Sequence, residues 1–320
     1  MFPGHAAINY LASEAIKDDP NASSHWKKYH SEFKFTGQGF AGLQGFGGLE
    51  KRPTFLRRWF LLLLQTRFRR FGDAYAKFNT VDGIAREVTG KQQRAYDLDV
   101  LRQALTISFL HARVPRKFTE NSTCCVVGDG FASLSTLLLA SKLTGRVVLV
   151  NLTKTLLVDL WYLKLWMGPE KFETSVDLVV DEAGLAQALE KPQCASQGIA
   201  IEASHHQLIQ SCPIDVVINI ASMQEMDLRV VVEYFNDMRA IAVKRDLLFY
   251  CCNREEKELP DGVVTRFANY PWHADDQTLE DGPCPWHQYY YATRPPFYRP
   301  YDGPHMHRLV TLHANRPLTQ

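Results

Sequence analysis

The chain has almost no surplus charge: 36 Lys and Arg stand against 35 Asp and Glu, leaving +1 over 320 residues. A non-specific nucleic-acid binder needs a basic excess. Disorder needs high net charge and few apolar residues. Both readings fail here, the second against a hydrophobic content of 46%. Glycine and proline, at 19 and 16, are too sparse for a collagen-like or low-complexity chain. The seven cysteines include no C-x-x-C pair, and an odd count makes a poor disulfide framework. Cys124-Cys125 and Cys251-Cys252 sit in apolar runs. Neighbours on a strand face opposite ways, so such a pair does not hold one metal, and buried, reduced thiols are expected. His273, His287, His305, His307, Asp275 and Asp276 lack the tight spacing of a metal motif, so no metal is expected. No apolar run approaches the ~20 residues needed to span a bilayer. The run Trp59–Leu64 is flanked by arginines and reads as a core helix with snorkelling cations. The N-terminus lacks a basic start followed by an apolar core, so no secretory signal and a cytoplasmic location are expected.

What is present is enough apolar sequence for one large domain or two. The texture changes near residue 120. Ala6–Lys17, Phe55–Phe71 and Asp97–Ala112 have helical apolar spacing. The glycine-rich stretch Thr36–Gly48 follows no strand and opens no helix, so it reads as a loop or lid. Beyond it, strands and helices alternate. Thr123–Val127, Arg146–Asn151, Gly198–Ala203, Asp215–Ile220 and Asp246–Cys252 read as buried strands, with helices at Ala132–Ser141, Thr155–Met167 and Arg229–Val243. Gln288–Ala292 and Arg308–His313 read as a closing strand pair. The expected fold is α/β: a Rossmann-like, doubly wound, mostly parallel sheet with an antiparallel C-terminal strand. A helical region, 1–118, precedes the α/β domain, 119–320.

The sharpest local signal is Val126-Val127-Gly128-Asp129-Gly130-Phe131-Ala132, directly after the first of these strands and opening a helix. A Gly-x-Gly turn lets backbone approach a ligand, and a helix start offers N–H groups to an anion. A dinucleotide loop would want Gly or Ala where Ser133 stands. An S-adenosylmethionine (SAM) loop would want an acid at Val126 and a glycine at Ala132. The next strand ends at Asn151, where an acid usually meets the cofactor ribose. An Asn can hydrogen-bond a hydroxyl, but as a neutral group. The loop by itself leaves both cofactors open.

Four further pieces narrow the choice: VVLVNLTKTLLVDLWYL, DVVINIASMQEM with the following EYFN, LLFYCCNR, and LPDG with YPW. With VVGDGFASLSTLLL, they resemble a family of SAM-dependent sugar O-methyltransferases over about residues 115–275. That resemblance implies SAM as cofactor, with Gly128, Asp129 and Gly130 around its methionine end. Asn151 would meet the ribose, Ser204 or His205 the adenine, and Asn219 would be a further cofactor contact. The implied partner is a small sugar or glycoside acceptor, without nucleic acid.

Methyl transfer to a hydroxyl is an in-line displacement helped by a general base. Glu225, just beyond the strand edge, is the leading base; its other reading is a helix cap. His205 and His206 are second candidates, or cofactor or loop residues. Arg254, Tyr270, Trp272 and His273 are candidate acceptor contacts, through a guanidinium and aromatic faces that suit a sugar ring. Arg254 could equally serve a salt bridge, and the aromatics a packed loop. Two rivals remain. One is an NAD(P)-dependent oxidoreductase, for which no Tyr-x-x-x-Lys pair is found. The other is a degenerate fold acting as a non-catalytic binding subunit. The N-terminal surplus would serve as lid, acceptor wall or homo-oligomer surface.

Overall fold

The structure is a computed structural model that describes residues 1–17, 19, 22–43, 54–301 and 303–314. Nine of its strands form one sheet: β1 (Phe2–Pro3), β2 (Thr123–Val127), β3 (Arg146–Asn151), β4 (Val176–Val179), β5 (Gly198–Glu202), β6 (Val216–Ile220), β7 (Leu247–Arg254), β8 (Gln277–Pro283) and β9 (His305–Leu312). Their spatial order is β1-β4-β5-β3-β2-β6-β7-β9-β8. The six strands from β4 to β7 in this order run parallel. β9 enters antiparallel between β7 and β8, and β1 pairs antiparallel with β4. The chain moves outward from β2 through β3 on one side and through β6 on the other, so a topological switch point lies at the centre.

The parallel strands form where the sequence is apolar on both faces. Every residue of TCCVV and RVVLVN is buried. Alternate side chains feed two cores. Val147 and Leu149 join Leu105, Leu137 and Leu160 on one face. Val148 and Val150 join Ile199, Val217, Phe235 and Phe249 on the other. Each such fully buried side chain contributes roughly 1.5–3 kcal/mol.

Ten helices are described. Five precede the glycine turn: α1 (Gly4–Glu14), α2 (Ser24–His30), α3 (Phe55–Arg69), α4 (Phe78–Lys91) and α5 (Leu98–Arg113). Five follow it: α6 (Ser133–Ala140), α7 (Thr153–Met167), α8 (Pro169–Ser175), α9 (Glu182–Glu190) and α10 (Leu228–Ala242). Asp97 starts α5 by accepting from Val100 N at 3.0 Å. Residue 118 marks no break in the core, because Ala7, Leu11, Leu101 and Leu105 share one apolar cluster with Leu134 and Val147. Among the described residues no helix is long and apolar enough to cross a membrane.

The structure departs from expectation at several places, and β1, α2, α8 and α9 are elements the sequence reading did not place. The strand paired with β9 is Gln277–Pro283, not Gln288–Ala292. QTLEDGP is polar and mostly exposed at the sheet edge, so no apolar run marks it. Tyr289–Tyr291 instead pairs with Tyr298–Pro300 in a separate ribbon. Arg102 ties that ribbon to α5 through Tyr289 O at 2.6 Å, Trp286 O at 3.0 Å and Tyr301 Oη at 2.6 Å. The short strand β4 and helix α4 also escape the sequence reading. Within Thr36–Gly48, Phe40–Ala41 pairs with Lys34–Phe35, and positions 44–48 lie outside the described residues.

Candidate functional site

A cavity of about 460 Å³ opens at the C-terminal ends of β2, β3, β5 and β6, and its walls include Gly128, Asn151, Ser204, Ala221 and Glu225. This is the switch point, where open α/β sheets bind ligands. The N-terminal helical region supplies Ser23, Trp26, Arg94, Asp99 and Gln103 to the wall.

The glycine turn is held in an uncommon backbone state. Gly128 and Gly130 have φ of +74° and +64°, and Phe131 and Ala132 follow at +61° and +46°. Left-handed backbone is costly for the last two, so the surroundings must impose it. A Cβ on Gly128 would lie 2.2 Å from Ser222 Oγ, so only glycine lets the loop after β6 come this close. Asp129 turns back into its own helix and accepts from Leu134 N at 2.8 Å and Ser135 N at 2.7 Å. The helix start that the sequence offered to a ligand anion is therefore occupied by this carboxylate.

A second acid braces the turn from below. Asp159, wholly buried in α7, accepts from Ala132 N at 2.8 Å and from Asn151 Nδ2 at 2.9 Å. Burial, reinforced by Asp129, pushes its carboxyl well above the usual range, against the bonds from Asn151 and Ala132. Burial also raises Asp129, opposed by its bonds from Ser135 and Leu134 and by Arg94. Sequence reasoning missed Asp159. Its signal was a lone acid in the otherwise apolar stretch LLVDLWYL.

Glu225 ends a short 3-10 turn after β6, with 12% of its side chain exposed. Lys257 Nζ donates to Oε1 at 2.9 Å, and His25 Nε2 lies 3.3 Å from the same oxygen. Burial raises the Glu225 carboxyl, while Lys257 pulls it back. Burial, with the charges of Lys257, Lys28 and Arg254, lowers His25 to about 4, so it is neutral near pH 7. The SMQEM and NR pieces are locked together here. Asn253 Nδ2 donates to Asn219 Oδ1 at 2.8 Å, and Gln224 Oε1 accepts from Arg254 N at 2.7 Å.

The other expected site residues divide. Asn151 and Ser204 line the cavity with the glycine turn. Asn219 does not: it is wholly buried and bonded to Val127 O, Ser222 Oγ, Met223 N and Asn253, so it staples loops together. His205 bonds to Ser204 Oγ at 3.1 Å, and its neighbour His206 takes the place in the wall. His206 Nδ1 donates to Asp237 Oδ2, and its Nε2 accepts from Gln207 Nε2 at 3.3 Å. Arg254 lies in a separate recess with Tyr290, Pro300 and Tyr301. Tyr270 and Trp272 pack against Phe235 in the apolar core, with Trp272 stacked on Phe249 at 5.8 Å. His273 is exposed, and its N–H donates to Asp276. The YPW segment is thus a packed cover on the sheet, away from the cavity wall.

Among the described residues one group has metal-ligand proximity. Donor atoms of Cys252, Cys284 and His287, all buried, lie within 4.8 Å of one another. Cys284 and His287 sit three residues apart on one 3-10 turn, while Cys252 comes from β7, a distant partner that sequence spacing could not supply.

No family model matches the chain, and no curated protein matches it. Similar solved structures exist at low identity. M. capricolum TrmK in complex with S-adenosyl-homocysteine is 11% identical, with a TM-score of 0.36 over 67% of this chain and 72% of that one. The methyltransferase domain of bacterial CtHen1 is 11% identical, with a TM-score of 0.36 over 68% of this chain and 100% of that one. MtNAS in complex with MTA and tNA is 12% identical, with a TM-score of 0.32 over 95% of this chain and 96% of that one. None of these reaches a TM-score of 0.5, so the fold assignment rests on the strand order and register given above.

Proposed function

We propose that the chain is a SAM-dependent O-methyltransferase whose acceptor is a hydroxyl of a sugar or glycosylated small molecule. The observation that carries this reading is that one cavity is lined by the Gly128–Gly130 turn and also by Glu225. Its volume falls within the ~300–1,000 Å³ of small-molecule sites. The donor set suits a ligand with both charged and hydroxyl groups. Arg94 stands by the turn, and the wall residues Gln103 and His287 have Oε1 and Nε2 buried without a hydrogen-bond partner among the described residues. Such orphaned groups cost stability until a ligand or water satisfies them.

When bound, SAM supplies a sulfonium methyl carbon for an in-line displacement, with the carbon–sulfur electron pair left on sulfur. The chain's residues have to align an acceptor oxygen with that carbon and take up one proton. The hydroxyl proton passes to Glu225, whose raised pKa makes it a stronger base than a solvated carboxylate. Gln103 and His287 hold neighbouring acceptor hydroxyls.

Calorimetric titration with SAM, S-adenosylhomocysteine and NAD, followed by labelled-methyl transfer to a panel of sugars and glycosides, tests the proposal. Binding of the two sulfur compounds and label on a sugar oxygen are expected. Binding of NAD alone would replace the reading with a dehydrogenase, and binding of none with a non-catalytic subunit.

A further inference from the structure

Arg94 lies in the segment between α4 and α5, outside the α/β part of the chain, yet it lines the cavity beside Gly128–Phe131. It is only 3% exposed. Its Nη1 donates to Ser133 Oγ at 2.8 Å and weakly to Gln92 Oε1 at 3.4 Å. Its Nε is buried without a partner. The guanidinium lies over the Phe131 ring at 4.0 Å and near the Tyr162 ring at 5.3 Å.

A guanidinium has five N–H donors and stays charged. Here two hydrogen bonds to neutral oxygens occupy one of its nitrogens. Asp97, Asp129 and Asp99 act on it through space, and none of them accepts from it. Asp129 is already committed to Leu134 N and Ser135 N. A desolvated cation with no carboxylate partner among the described residues is expensive to keep. The Phe131 ring lies against the guanidinium, and Arg94 shares the cavity wall with the glycine turn. A guanidinium fork matches the two oxygens of a carboxylate.

Resting on the methyltransferase reading, we infer that Arg94 is the carboxylate-binding residue of the cofactor site, holding the amino-acid end of SAM against the Gly128–Gly130 turn. The N-terminal helical region therefore completes the cofactor site and is more than a lid or acceptor wall. Ser133 sets the guanidinium in place, and Phe131 shields it from water.

The test compares two ligands that differ at that end. S-adenosylhomocysteine carries the carboxylate, and 5′-methylthioadenosine lacks the whole amino-acid moiety. Both are titrated calorimetrically into the full chain and its Arg94→Gln and Arg94→Lys variants, with thermal denaturation as the control for folding. Arg94→Gln is expected to weaken S-adenosylhomocysteine by about 30-fold or more and to leave methylthioadenosine unchanged. Arg94→Lys, which keeps the charge but not the fork, is expected to recover part of the loss. Equal weakening of both ligands, or of neither, overturns the assignment while the methyltransferase reading stands. If the unmodified chain binds neither ligand, both fall. If the glutamine variant does not fold, the lysine variant decides: weakening of S-adenosylhomocysteine alone supports a carboxylate contact, and equal weakening of both ligands, or of neither, overturns it.

Discussion

Asn151 donates to Asp159 at 2.9 Å, so the residue expected to reach a ribose is itself held by an acid eight positions further along. The same carboxylate accepts from Ala132 N, which ties the end of β3 to the glycine turn. The cavity floor is thus a single braced unit, and changes on either side of it should be felt on both.

Gly128 and Gly262 separate close approach from backbone strain. Both have positive φ, +74° and +85°, but only Gly128 has an atom in the way of a Cβ. Gly262→Ala should cost about 1–2 kcal/mol in urea denaturation, the strain of a left-handed residue. Gly128→Ala should cost clearly more and should abolish SAM binding, since Ser222 must move. Equal costs would show that the contact at 2.2 Å relaxes freely.

Glu225→Gln should lower turnover about 10²–10⁴-fold while leaving SAM affinity nearly unchanged. The rate of the unmodified enzyme should rise with pH through the raised Glu225 pKa, because only the carboxylate accepts a proton. The variant should lose that limb of the profile. Parallel loss of turnover and cofactor affinity would mean that Glu225 serves structure through Lys257 and His25.

His206 and His205 should behave differently despite adjacency. His206 lines the cavity and is oriented by Asp237; His205 is outside the wall. His206→Ala should weaken adenosine-containing ligands by about tenfold or more, while His205→Ala should change affinity little. The reverse order, read by calorimetry, would restore the sequence-based choice.

Acid should destabilise the fold earlier than carboxylates alone would. Burial lowers His25 and His30 to about 4 and His305 to about 3, with nearby cations adding to each. Their unfolded value is about 6.5, so the unfolded chain binds more protons between these limits. The stability these groups contribute is complete above about pH 6.5 and is lost as pH falls toward their folded values. Urea midpoints at pH 7.5, 6 and 5 should fall progressively, and His25→Gln and His30→Gln should flatten the dependence. A midpoint constant down to pH 5 would refute this.

Trp272→Ala should act on stability and spare binding. The ring stacks on Phe249 and packs on Phe235, and Arg239 Nη2 holds the segment through Pro271 O at 2.9 Å. The expected cost is about 3–5 kcal/mol in chemical denaturation, with acceptor affinity nearly unchanged. A large loss of acceptor affinity in a stable variant would return this tryptophan to the site.

The sequence by itself determined the central strands, the glycine turn and the SMQEM edge. Buried parallel strands must be apolar throughout, and a left-handed turn selects glycine locally, so both leave marks in neighbouring residues. The polar edge strand Gln277–Pro283 left none, because solvent rather than core receives its side chains. Only the tertiary structure decided which polar groups meet. Arg94 and Ser133 are 39 positions apart, and His25 reaches Glu225 from the opposite end of the chain. It also moved Tyr270 and Trp272 from the expected acceptor face into the core, and put His206 in the cavity wall ahead of His205. Burial and partnership decide whether such a side chain is a ligand contact, a base or a brace. Those are fixed by packing between distant segments, which residue spacing does not record.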